Sequence, residues 1–182
     1  MRTLFVTDLD GTLLTSKECV SEYSREHLNT LLSKGVSFTF ATARSVGSAL
    51  RALQGLNVSM PAVYYNGGLV YDHVTRRTLR YCCFEDTLKW YVLSLLRSFS
   101  ILPFVYSATE TRENVAWLAG KESFGMRRYL DRRQGDVRLL AAQSEAELLA
   151  GDIFYFKCIG PKEQIEKAWN ILKYDSRLMC IL

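Results

Sequence analysis

Within its first dozen residues the chain passes from an apolar run into Asp8-Leu9-Asp10-Gly11-Thr12, and that junction restricts the folds open to it. Leu4 to Val6 reads as a buried strand. Residues two apart on extended chain point the same way, so Asp8 and Asp10 should project together from the strand's carboxyl end, where open α/β sheets place their ligands. No cation stands beside the pair in sequence, so mutual repulsion should raise one of the two pKa values unless a metal intervenes. One carboxylate then suits nucleophilic attack and the other proton transfer. Gly11 lets the chain turn sharply and brings backbone N–H groups toward an anion. An Asp-Gly pair alone is an ordinary turn; directly after a strand it is a motif in context.

Strand and helix signals then alternate. Ser21 is placed to cap a helix carrying Leu28, Leu31 and Leu32, which Gly35 ends. Val36 to Ala41 reads as a second strand closing at Thr42-Ala43-Arg44. Ser45 can cap the next helix, with Val46, Ala49, Leu50, Leu53 and Leu56 at helical spacing. Ala62 to Tyr65 gives a third strand, and Asn66-Gly67 is a turn signal before Leu69-Val70-Tyr71. This alternation predicts an α/β fold with a Rossmann-like parallel sheet over residues 1–84.

From residue 85 the pattern changes to α+β. Asp86 should cap a helix bearing Leu88, Val92, Leu95, Leu96 and Phe99. Strands are expected near 102–107, 114–119, 137–141 and 153–159, and helices near 123–133 and after Pro161. Arg177–Leu182 reads as a final strand. Residues 85–182 thus form a second domain, with no linker between the two.

Composition excludes little. The net charge of +4 suits an anionic small substrate and is too weak to argue for nucleic acid. Five cysteines, without C-x-x-C spacing, predict buried or half-buried free thiols in a reducing cytoplasm. No leader is visible and no apolar stretch could span a bilayer. A cytoplasmic protein without a membrane partner is the expectation, its oligomeric state open.

Thr42 closes the second strand, so in a parallel sheet its hydroxyl shares an edge with Asp8, and a following helix N-terminus completes a phosphate cradle. Arg44 could contact substrate or form a surface salt bridge. The strings Asp8-Leu9-Asp10-Gly11-Thr12-Leu13-Leu14, Phe40-Ala41-Thr42-Ala43-Arg44 and Tyr65-Asn66-Gly67-Gly68 closely resemble the Cof-type branch of the haloacid dehalogenase-like hydrolases. The resemblance implies a partial Rossmann-like core interrupted by an inserted α/β cap that closes over a small phosphorylated metabolite. It implies that Asp8 forms an aspartyl-phosphate, that Asp10 protonates the leaving oxygen and then activates water, and that Mg²⁺ binds the Asp8 carboxylate and the Asp10 backbone carbonyl. Leu9, Gly11, Thr42, Ala43 and Arg44 would then line the phosphate. Asn66 and Gly67 match a substrate-facing segment, although a structural turn explains them equally well.

Two departures stand out. Ala43 replaces the usual Gly of the second motif. A third-motif Lys and a Gly-Asp-x-x-Asn-Asp-like fourth motif are missing: Gly151-Asp152 leads into apolar Ile153-Phe154-Tyr155. The expectation is the first part of a longer protein or a truncated product, with an incomplete cap; the alternative function is a catalytically silent binding module. Arg127, Arg128, Arg132 and Arg133 read as a solvated helix face. His27 and His73 read as isolated surface positions, and no Lys is placed to replace the missing one.

Overall fold

The computed structural model describes residues 3–109 and 112–182 and divides into two compact units, Met1–Cys82 and Cys83–Leu182. The fold is mixed α/β. In the first unit β1 (Leu4–Thr7) leads through a tight turn to α1 (Glu22–Ser33), β2 (Ser37–Phe40), α2 (Val46–Ala52), β3 (Ala62–Tyr64), β4 (Leu69–Asp72) and β5 (Arg77–Tyr81). β1 and β2 are parallel, Leu4 opposite Ser37 through Thr7 opposite Phe40. A parallel bridge from Ala41 to Val63 joins β2 to β3, and β3, β4 and β5 form an antiparallel meander. Ser21 and Ser45 cap their helices as expected, accepting from Ser24 N–H at 3.1 Å and Ser48 N–H at 3.3 Å. Phe40, Ala62, Tyr64 and Leu69 are fully buried, with the Phe40 and Tyr64 rings edge to face at 5.5 Å.

Two expectations of burial fail. Leu4, Phe5 and Val6 are 49%, 55% and 56% exposed, and α1 buries no residue completely. Among the described residues β1 pairs along one edge only, with β2. Apolar residues on both faces suit a strand covered on both sides. Periodicity reports which side chains a cover would bury, not whether the cover is there.

The second unit runs α3 (Asp86–Ser98), β6 (Phe104–Ala108), β7 (Glu113–Leu118), α4 (Phe124–Asp131), β8 (Leu139–Ala142), α5 (Glu145–Leu148), β9 (Ile153–Lys157) and α6 (Lys162–Leu172). Its sheet has the order β8-β7-β6-β9, with only β7 and β8 parallel. Leu88, Val92 and Leu96 of α3 pack with Ala168 and Leu172 of α6, and Leu93 packs with Val105 and Ile153 from the sheet. Lys89 of α3 is buried, paired with Asp86 at 2.6 Å and donating to the Gly151 carbonyl at 3.2 Å.

Several elements differ from expectation. Glu85 rather than Asp86 is the N-cap of α3. Arg177–Leu182 forms no strand. Asp175 turns the chain by accepting from Arg177 N–H at 3.0 Å, the Cys180 carbonyl accepts from Trp169 Nε1–H at 3.4 Å, and Leu178 and Cys180 pack irregularly on the α3–α6 cluster. Met179, Ile181 and Leu182 stay exposed at 79%, 62% and 65%, so apolarity alone neither buries this run nor pairs it. Cys19, Cys82 and Cys83 are exposed, whereas Cys158 and Cys180 are half-buried; all five are free. No described helix is long and apolar enough to cross a membrane.

Candidate active site

Three parallel strands deliver the candidate residues to one rim. β1 ends at Thr7, whose carbonyl accepts from Ala41 N–H at 2.9 Å; Thr42 N–H then donates to the Val63 carbonyl of β3 at 2.9 Å. Asp8 follows β1, Thr42 follows β2, and Asn66 follows β3, all at carboxyl ends. Asn66 N–H donates to the Thr42 carbonyl at 3.1 Å and Tyr65 N–H to the Arg44 carbonyl at 3.3 Å, stitching the second and third loops together.

Leu9 is fully buried while Asp8 and Asp10 face solvent, the alternation that extended backbone at Asp8 (φ −81°, ψ 163°) and Asp10 (φ −74°, ψ 121°) imposes. Gly11 then takes φ +75°, the left-handed region that favours glycine, and Leu14 N–H closes the turn on the Leu9 carbonyl at 2.9 Å. Thr12 Oγ1 lies 3.5 Å from the Asp8 carboxylate. Tyr65, Asn66 and Gly67 all have positive φ, so the β3–β4 connection is a strained four-residue loop rather than a two-residue turn.

Thr42 is only 4% exposed. Its Oγ1 accepts from Arg44 N–H at 3.2 Å, which leaves the hydroxyl proton available to an anion. Ala43 is exposed beside it. Arg44 is not aimed at open solvent: Nε and Nη2 donate to the two oxygens of Asp10 at 2.8 and 2.6 Å, and Nη2 also reaches Glu18 at 3.2 Å. This two-pronged pairing sets the direction of the shift at Asp10, which is downward. The Arg44 hydrogen bonds and charge hold the Asp10 carboxyl below its usual range, against a smaller opposing effect of burial. The cation absent from the adjacent sequence arrives from 34 residues away.

Glu18, with φ +56°, was not anticipated as part of this group; nothing local to Lys17-Glu18-Cys19 marks it. His73 is also not isolated. Its Nε2 lies 3.1 Å from Tyr64 Oη beneath Phe40 and Tyr71, and burial lowers its pKa against the raising effect of Asp72. Among the described residues no three His, Cys, Asp or Glu side chains cluster closely enough to enclose a metal.

A sequence model for haloacid dehalogenase-like hydrolases matches residues 5–139. The chain belongs to that family. A relative from Buchnera aphidicola (strain Bp) named "Putative phosphatase" is 31% identical over 105 residues, 57% of this chain and 39% of that one. A haloacid dehalogenase-like hydrolase from Bacteroides thetaiotaomicron shares the fold with a TM-score of 0.70 at 16% identity, covering 96% of this chain and 64% of its own. A Thermotoga maritima structure aligns with a TM-score of 0.73 at 20% identity, covering 95% and 62%. This haloacid dehalogenase-like hydrolase therefore spans about two fifths of that curated relative and under two thirds of either solved structure.

Proposed function

We propose that the protein is a phosphatase that hydrolyses a small phosphate monoester through Asp8, with residues 85–182 read as the inserted cap that selects the leaving group. The observation that carries the reading is the delivery of Asp8, Thr42 and Asn66 to one rim by three parallel strands. The solvent-facing Asp8 carboxylate attacks phosphorus and the ester oxygen leaves with a proton; water then cleaves the aspartyl-phosphate and restores the carboxylate. Asp10 moves the protons. While held by Arg44 it is a carboxylate suited to accepting a proton from water; to donate one to the leaving oxygen it must first leave Arg44. The Thr42 hydroxyl and the N–H groups around Gly11 and Ala43 receive the phosphoryl oxygens.

The exposed Asp8 carboxylate and the Asp10 backbone carbonyl are hard oxygen donors on an open rim, which fits a Mg²⁺ ion that retains most of its waters. When bound, Mg²⁺ offsets repulsion between carboxylate and phosphate. The Asp10 carboxylate, held by Arg44 and not needed by the metal, takes up its proton-donating role once it parts from Arg44. The substrate in this reading is a dissolved metabolite met in the cytoplasm.

Asp8→Asn keeps the shape of the site and removes the nucleophile. Turnover of an aryl phosphate by the complete protein should be abolished, with unchanged circular dichroism. A loss smaller than about tenfold, or about 1.4 kcal/mol of transition-state stabilisation, would contradict the reading.

A further inference from the structure

One face of the second unit's sheet holds an aromatic and cationic group that the rim chemistry does not use. Tyr106 of β6 and Tyr129 of α4 share a hydroxyl–hydroxyl hydrogen bond of 2.7 Å, and the Tyr155 ring of β9 meets Tyr106 edge to face at 5.4 Å. Two cations converge on Tyr129. The Arg133 guanidinium carbon lies 3.6 Å from the ring centroid and Lys157 Nζ lies 4.7 Å from it. Both side chains are half-buried. Register explains the meeting: Lys157 opposes Phe104 on β6 and Tyr155 opposes Tyr106, so Tyr155 and Lys157 share a face with those residues. Arg133 reaches back one turn over Tyr129.

Among the described residues neither cation sits in a salt bridge. Asp136 feels the charge of Arg133 but is gripped by Arg138 through bonds of 2.9 and 2.7 Å. The face of Tyr129 offers each cation a weak attraction, yet two like charges on one ring repel. Burial, with Arg133 nearby, lowers the Lys157 pKa, so its charged form is short of compensation. Burial raises the pKa of Tyr106 and of Tyr155, so neither hydroxyl supplies a counter-charge to the two cations. Partly desolvated positive charge beside neutral hydroxyl donors is what an oxyanion complements.

We propose that Arg133 and Lys157, arranged around Tyr129, form an anion-binding site in the second unit that takes a phosphate-class oxyanion. Arg133 supplies paired donors and Lys157 a point charge.

The test titrates inorganic phosphate into the 182-residue chain carrying Thr42→Ala, which weakens the candidate phosphate cradle of the first unit. The Arg133 side-chain N–H and the Lys157 side chain are followed by NMR, against chloride at equal ionic strength. Saturable shifts at Arg133, Lys157 and Tyr129 are expected. Arg133→Gln and Lys157→Met should each weaken phosphate binding about tenfold, the loss of one charge-assisted contact. Arg133→Gln alters a half-exposed position near the end of α4, so it keeps the test interpretable if Lys157→Met disturbs the sheet. A sugar phosphate titrated in parallel separates the sources: tighter binding than inorganic phosphate assigns the site to a phosphorylated metabolite, and equal binding to the free ion. The proposal is overturned if phosphate gives no saturable shift, if chloride reproduces the shifts, or if Arg133→Gln binds phosphate as before.

Discussion

Replacing Arg44 by Gln tests the electrostatic core of the rim. The substitution keeps a polar side chain but removes the charge that holds Asp10 through two bonds and Glu18 through one. Arg44 is 15% exposed, Asp10 54% and Glu18 75%, so solvent screens both pairs. Measured exposed pairs stabilise by about 0.2–1 kcal/mol; the bidentate Asp10 pair belongs near the upper end and the Glu18 pair near the lower. Together they amount to about 1 kcal/mol, or a fall in melting temperature of about 4–8 °C if the first unit unfolds by itself. Because Asp10 has a lowered pKa in the fold, this stabilisation is present above the unfolded carboxylate pKa of about 3.9 and is lost as pH falls through the folded value. Chemical denaturation of both proteins near neutral pH should therefore show the difference, and the gap should close in acid. It should also shrink at high salt. An equal gap at both pH values, or none at neutral pH, would refute the assignment of Arg44 as the charge that holds Asp10.

Other expectations concern the frame around the site. Tyr64→Phe removes the hydroxyl bonded to His73 and should cost about 1 kcal/mol by denaturant titration, with the ring packing kept. The His73 ring should titrate by proton NMR below the usual value of about 6.5; because burial depresses the folded pKa, the first unit should lose stability as pH drops below about 6.5, and His73→Phe should flatten that loss. Ser123→Ala strips the cap of α4 and the bond to the Ile159 carbonyl, for about 1 kcal/mol, read by thermal melting. Thiol labelling should be fast at exposed Cys19, Cys82 and Cys83 and slow at Cys158, whose pKa burial pushes up to about 12.

The rim was legible in the sequence because its signals are local. An apolar run ending in Asp8-Leu9-Asp10-Gly11 marks a strand end, and Phe40-Ala41-Thr42 and Tyr64-Tyr65-Asn66-Gly67 mark two more; parallel strands place such ends on one edge. Contacts made across long stretches of chain were not legible. Arg44 finds Asp10 and Glu18 over 34 and 26 residues, so the lack of a neighbouring cation in the sequence does not reveal the charge that lowers the Asp10 pKa. Arg133, one of four arginines that read as a solvated helix face, instead stacks on Tyr129 beside Lys157. The short helix α5 was missed although Ser144 caps it by accepting from Glu147 N–H, a signal that Ser144-Glu145-Ala146-Glu147 carries openly. Exposure of β1 could not be read from Leu4-Phe5-Val6, because a side chain's apolarity does not reveal what lies across from it.

The most direct measurement incubates the complete protein with Mg²⁺ and acetyl phosphate, an activated phosphoryl donor, quenches with borohydride and locates the product by peptide mass spectrometry. An acyl phosphate at Asp8 is reduced to homoserine, so the account predicts homoserine at position 8 and its loss in Asp8→Asn. Homoserine at Asp10 alone, or turnover of the donor with an unmodified Asp8, would contradict it.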